Sequence, residues 1–393
     1  MDKETNDNYK PGYTVWQMIA YMLRLGALGF GGPVALVGYM HRDLVESRKW
    51  ISEADYKEGL ALSQLAPGPL AAQLAIYLGY VHYRVLGATL VGIAFVIPSF
   101  VIVIALGWAY VRFGGLPWMQ AVFYGVGAAV IGIIVMSAKK LTEKSVGKDK
   151  LLWAIYAVLA IVTITTESEI AWLFIAAGVL VWIARAPPKW LQRGNANGLA
   201  VTQLPVLSSL YATADLPLLG QIAVFFAKAG AFVFGSGLAI VPFLYGGVVT
   251  EHQWLTEKQF VDAVAVAMIT PGPVVITVAF IGYLVAGMPG ATVAALATFL
   301  PCYLFTILPA PYFKKYGKVP GVVAFVDGIT AAAIGAIAGS VVVIAKRTIV
   351  DVPTAVLAIC TILILWKFKK LQEPVVVIGA AIIGLIVYPL VTA

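Results

Sequence analysis

The sequence predicts an all-α polytopic membrane protein built from two homologous, inverted repeats with broken helices, about 10 to 13 membrane segments in all. Three observations carry this. Of the 393 residues, 61% are hydrophobic and only 12% charged, roughly half the charged share of a soluble domain, and the mean hydropathy is +0.91. The chain repeats itself at one register. Glycines and prolines interrupt the apolar runs at matched places in both copies.

The duplication appears on sliding the chain by about 204 positions, the self-comparison that precedes any helix assignment. Phe30–Val37 (FGGPVALV) then overlies Phe234–Val241 (FGSGLAIV), Trp50 overlies Trp254, and Pro67-Gly68-Pro69 overlies Pro271-Gly272-Pro273. After one deleted residue the register places Gly79-Tyr80 on Gly282-Tyr283, Pro98 on Pro301 and Gly114 on Gly317. The first repeat is assigned to residues 1–194 and the second to 217–393, with 195–216 as a linker. Apolar segments fall near 13–40, 59–82, 85–111, 118–138, 151–166 and 170–184, with counterparts near 219–249, 261–284, 290–312, 320–345, 353–366 and 374–391. Several reach the roughly 20 residues that cross a bilayer as a helix. The first two of each repeat are broken, and lipid tolerates a break only where protein or a water-filled cavity satisfies the freed backbone groups. Whether these four span or re-enter stays open at this point.

Charge sets the orientation. The loop from His41 to Lys57 carries Arg42, Arg48, Lys49 and Lys57, whereas its counterpart has only Lys258; conversely Arg112 stands alone against Lys314, Lys315 and Lys318. A swap of cations between matching loops indicates inverted repeats under the positive-inside rule. Inversion needs an odd number of crossings between equivalent points, so 197–216 is read as a possible further crossing. The net charge of +8 thus reports topology, and no nucleic-acid partner is expected. The N-terminus, MDKETNDNYK, lacks the layout of a cleaved signal, so the first apolar helix is expected to direct insertion into the cytoplasmic membrane.

Composition also bears on chemistry. There is no Walker A sequence, HExxH or nucleophile elbow, and only three histidines and two cysteines. Neither enzymatic activity nor a metal or cofactor is expected, and Cys302 and Cys360 read as core thiols. The binding chemistry instead centres on matched cations inside apolar segments, Arg24 and Lys228, which are costly to bury and so mark function. In inverted repeats they would converge near the midplane on one anion; the alternatives are snorkelling, or pairing with a carboxylate such as Asp262 or Asp327. About one turn further on come the glycine bends Gly29, Gly31, Gly32 and Gly235, Ser236, Gly237, whose freed N–H groups and restarted helix ends suit an anion. The second breaks, Pro67, Gly68, Pro69 and Pro271, Gly272, Pro273, divide helices into facing halves. Ser63, Gln64, Gln73, Thr270 and Thr277 stand beside them as candidate donors to oxyanion oxygens, or as polar glue between helices. Ser52 and Thr256 read as helix N-caps. His41, Arg42 and Glu46 are a candidate gate or proton carrier, or solvated loop charge.

The residues FGGP with Ala35, the Gln64–Pro69 run QLAPGP, FGSG, WLTEKQFVDAVA (Trp254–Ala265), TPGP (Thr270–Pro273) and FIGYLVAG (Phe280–Gly287) resemble the chromate ion transporter family in its long two-domain form, most clearly over residues 13–345. The resemblance implies a carrier with two homologous domains of opposed topology that exports chromate and confers resistance, with sulfate as a related tetrahedral dianion. Arg24 and Lys228 would neutralise the oxyanion, the glycine bends would donate N–H groups, and Gln64 with Thr270 would order its oxygens. Two positions depart from the pattern: Met268 stands where the second domain often has Gln, and Ser236 where the motif often has Gly. Sulfate import or exchange, a passive anion channel and a homodimer remain open alternatives.

Overall fold

The computed structural model of the chain describes residues 12–30, 32–113, 117–166, 171–187, 217–232, 234–235, 240–313, 319–368, 371 and 373–392. Gly31, Ser236, Gly237, the 195–216 linker with its possible crossing, and Lys314, Lys315 and Lys318 lie outside the described residues.

Each repeat opens with two helical hairpins. α1 (Val15–Leu28) starts at a capping box on Thr14 and stops where Gly29 leaves the helical region. α2 (Gly32–Met40) then runs into a π-helical turn, His41–Ser47. α1 and α2 fold back on each other, since the Tyr21 hydroxyl donates to the Tyr39 carbonyl and to Asp43, both at 3.2 Å. The expected cap Ser52 then starts α3 (Glu53–Leu65), accepting from Asp55 N–H. The Pro-Gly-Pro break ends α3, and β1 (Gly68–Pro69) leads into α4 (Leu70–Phe113). A reversal at Arg84, φ 51° and ψ −142°, divides α4 into an inner arm (70–83) and an outer arm (85–113). Gly59 packs against the Tyr77 ring, so α3 and the inner arm are antiparallel, and Gly79 meets Gly87 across the reversal.

The second repeat follows the same plan. α8 (Leu218–Phe232), β2 (Phe234–Gly235), α9 (Ile240–Tyr245) and the π-turn Gly246–Glu251 form its first hairpin, closed by Phe225 against Gly247 and Phe243. Thr256 caps α10 (Glu257–Ile269). A 3₁₀ turn, Val274–Ile276, leads into α11 (Thr277–Ile307), which reverses at Ala286–Gly287. Even the left-handed residues match between halves: Lys49 with Gln253, and Gly68 with Gly272. Hairpin arms of 13 to 15 residues extend about 20 Å, short of the roughly 30 Å hydrocarbon core. The four broken segments therefore re-enter instead of spanning.

Between and after the hairpins run α5 (Pro117–Ser145), α6 (Lys150–Thr166) and α7 (Ala171–Arg185), matched by α12 (Pro320–Thr348), α13 (Val352–Lys367) and α14 (Glu373–Thr392). The repeats interlock: α6 and α7 lie on α12, whereas α13 and α14 lie on α5. Small residues allow the close crossings, Gly125 against Ala380 and Gly384, Gly132 against Thr361, Gly335 against Tyr156 and Gly328 against Ala177. Polar ties secure the ends. The Tyr124 hydroxyl donates to Asp351, the N-cap of α13, at 2.6 Å, and Arg185 bridges Asp149 to Asp327. Asp149 accepts from the Leu151 and Leu152 N–H groups; these bonds, with Arg185, hold its carboxyl below the usual range.

The halves are inverted. The hydroxyls of Thr89, at the start of the outer arm of α4, and Tyr303, near the end of α11, share a hydrogen bond of 2.6 Å. The two outer arms therefore run antiparallel, and the hairpins that precede them enter from opposite faces. Five described stretches have the length and apolarity to cross a bilayer: Leu70–Phe113, Pro117–Lys140, Val274–Tyr312, Pro320–Lys346 and Pro374–Val391. Val101, Leu296, Leu300 and Leu390 on these stretches, with Ile161 on α6 and Ile359 on α13, are exposed, as a lipid-facing belt requires. The chain is a multi-pass membrane protein.

Candidate functional site

The four hairpin tips meet inside the protein. β1 and β2 pair in parallel, Gly68 with Phe234 and Pro69 with Gly235, so the second break of the first repeat joins the first break of the second. The reciprocal pairing is present too: Gly272 N–H donates to the Gly29 carbonyl at 2.9 Å. Extended tip backbone thus finds partners by crossing between repeats, which answers the demand for satisfied groups in a lipid-surrounded interior.

Glycine is required at two of these places. Gly68 has φ 142° and Gly272 φ 91°, conformations that side chains disfavour. Space forbids a Cβ as well: at Gly272 it would lie 2.0 Å from Ser99 Oγ, and at Gly68 2.6 Å from Gln73 Nε2 and 3.2 Å from Cys302 Sγ. Ser99 and Cys302, both fully buried, follow Pro98 and Pro301 in the outer arms and occupy matched positions. Sequence reasoning missed Ser99 and read Cys302 as a core thiol, although the Pro98-on-Pro301 register already placed the two in equivalent positions.

A helix begins just after each tip, at Gly32, Leu70, Ile240 and Val274. A helix start carries N–H groups without intrahelical partners and the positive end of a dipole, and the two pairings bring the tips of one repeat against those of the other. The candidate donors are disposed as follows. Ser63, Thr270 and Thr277 are buried at the breaks, but their hydroxyls donate to the carbonyls of Gly59, Val266 and Val274, each at 2.7 Å. Gln73 is fully buried with Nε2 donating to the Pro67 carbonyl at 2.7 Å. Gln64 is exposed on α3.

The matched cations do not project into the crossing in this conformation. Gly26 and Gly230 are the residues packed inward, against the carbonyls of Phe95 and Thr298. Arg24 and Lys228, two residues before them, point to the opposite sides of α1 and α8 because two residues turn a helix by about 200°. Arg24 is exposed. Lys228 is half-buried in a groove of about 1650 Å³ walled by apolar residues such as Ile93, Ile97, Leu296 and Leu300. Asp262 and Asp327 are engaged by the Tyr110 hydroxyl and by Arg185. The candidate gate residues lie away from the tips. His41 stands 3.2 Å from Glu46 and 2.9 Å from Glu53, tying the π-turn to α3, while Arg42 pairs with Asp43 at 2.8 Å.

Comparison with known proteins agrees with the architecture. The profile of the chromate transporter family matches residues 16–182 and again 220–385. The chain is 76% identical to the chromate transport protein of Cupriavidus metallidurans over 97% of its own length and 95% of that protein. It is 61% identical to a probable chromate transport protein of Synechococcus elongatus over 98% of each. With the chromate transport protein of Pseudomonas aeruginosa the identity is 31%, over 98% of this chain and 95% of the relative. No solved structure matches the chain.

Proposed function

The chain belongs to the chromate transporter family, a family of membrane transporters and not of enzymes, and on that premise we propose that it is a secondary transporter exporting chromate across the cytoplasmic membrane, with the oxyanion held where the hairpin tips cross. The observation that carries this is the reciprocal pairing of Gly68–Pro69 with Phe234–Gly235 and of Gly272 with Gly29, which sets the broken tips of one repeat against those of the other. Preorganised N–H groups and dipole ends favour an anion there without a resident cation. The glycine bends at Gly29, Gly32 and Gly235 let backbone donors approach the oxyanion closely, a role the sequence pattern extends to Gly31, Ser236 and Gly237. Arg24 and Lys228 act from outside the crossing, drawing the anion toward the tips, and Gln64, Ser63, Thr270 and Thr277 supply polar groups along its route. Inverted repeats around a fixed central site suit alternating access. A membrane potential negative inside makes outward anion movement favourable by about 2.3 kcal/mol per charge per 100 mV, so export needs no ATP.

The test is chromate uptake into everted, energised membrane vesicles containing the protein, with and without sulfate. Saturable uptake that collapses with the membrane potential is expected. Flux that rises linearly without saturation would instead indicate a channel. Uptake equal to that of empty vesicles, with the protein shown to be inserted, would refute the reading.

A further inference from the structure

Gln73 is the polar group that the export reading leaves unused. Its side chain is fully buried and lies against the tip: a Cβ built on Gly68 would stand 2.6 Å from Nε2 and 2.7 Å from Cδ. Nε2 donates to the Pro67 carbonyl. A carbonyl only accepts, so this bond fixes which end of the amide is which. The other end, Oε1, is a buried acceptor that no donor among the described residues reaches. Leaving such a group unpaired is destabilising, because it has given up its hydrogen bonds to water without replacing them. The hydroxyls of Ser63 and Ser99 already donate to the Gly59 and Gly26 carbonyls.

The crossing is therefore mixed, with N–H donors at the helix starts and one strong acceptor at Gln73. A fully ionised tetrahedral oxyanion carries only acceptors and would set an oxygen lone pair against Oε1. An oxyanion that keeps one proton fits both kinds of partner, its hydroxyl donating to Oε1 while its other oxygens accept from the N–H groups. Resting on the oxyanion-transport reading above, we propose that the species bound at the crossing is the monoprotonated oxyanion, with its hydroxyl donating to Gln73 Oε1. Hydrogen chromate keeps its proton up to near neutral pH, whereas hydrogen sulfate and hydrogen selenate keep theirs only in strong acid. Gln73 thus sorts oxyanions by basicity, which separates chromate from sulfate although shape and charge scarcely do. A site built to pair with a substrate hydroxyl rejects an analogue lacking it far more strongly than a pocket fitted to shape alone.

The experiment measures the initial rate of chromate uptake into everted vesicles at subsaturating chromate, from about pH 6 to about pH 9, with pH equal on both sides and the potential fixed. Above the pH at which hydrogen chromate becomes the minor species, the rate falls about tenfold per pH unit. Selenate, close to chromate in size, competes at least about 100-fold more weakly than chromate itself. Gln73→Met, which keeps the length and removes the acceptor, flattens the profile and admits selenate. A saturable flux independent of pH, with selenate competing on equal terms, would overturn the inference and leave export standing. So would a correctly inserted Gln73→Met protein with the wild-type profile. If that variant fails to fold, the wild-type profile and the selenate competition still decide. Absence of saturable chromate flux at every pH would overturn the export reading and this inference with it.

Discussion

At Gly272 the backbone has φ 91° and the space for a side chain is filled by Ser99 Oγ. Gly272→Ala therefore meets a disfavoured dihedral costing about 1–3 kcal/mol and a clash that forces the outer arm of α4 away from the tip. The expected result is a lowered melting midpoint in detergent and loss of saturable chromate uptake; unchanged uptake would show that the crossing tolerates distortion. Away from the tips, Glu53 is a pH-dependent tie. Its carboxyl is held below its usual range by the hydrogen bond to His41 and then by Lys57. A group whose folded pKa is depressed contributes stability above its unfolded pKa and loses it as pH falls through the folded value. The difference in melting midpoint between wild type and Glu53→Gln should thus be greatest near neutral pH and close below about pH 4. A difference that persists in acid would mean that Glu53 acts through packing. Among residues, the breaks and caps were legible because Pro, Gly, Ser and Thr constrain the backbone locally. The faces of Arg24 and Lys228 were not, because a matched register fixes sequence position and leaves the direction of packing to the neighbouring helices.

Among the elements, the reversals within α4 and α11 show how two copies of one design use different residues. Arg84 takes φ 51° where Gly287, its counterpart, takes φ 60°. A non-glycine residue there stores strain of about 1 kcal/mol or more. Arg84→Gly should raise the melting midpoint, less the loss of the Arg84 guanidinium over the Tyr80 ring; a lowered midpoint would mean that the ring contact outweighs the strain. The sequence placed segment boundaries close to this turn, near 82 and 85, since the apolar pattern pauses there. It left undecided whether the broken segments span or re-enter. A glycine or proline reports that a helix stops, whereas the return direction is set by contacts such as Gly59 with Tyr77 and Phe225 with Gly247.

In the whole molecule, the repeats are joined at their broken tips and by their helices. The tips of one pair with those of the other, and α6 and α7 lie on α12 while α13 and α14 lie on α5. Duplication was visible because backbone-constraining residues kept their register, and the cation swap between matching loops already pointed to inversion. The exchange of terminal helices was not visible, since a lipid-facing apolar helix carries no mark of which repeat it will meet. On the proposed function, this interlock holds the oxyanion between the tips. The most direct test is the position of chromium, located by its anomalous scattering in crystals of the full chain equilibrated with chromate. The expected result is a peak within hydrogen-bond reach of the tip backbone at Gly68 and Gly272. A peak in the groove beside Lys228, with none at the crossing, would contradict it.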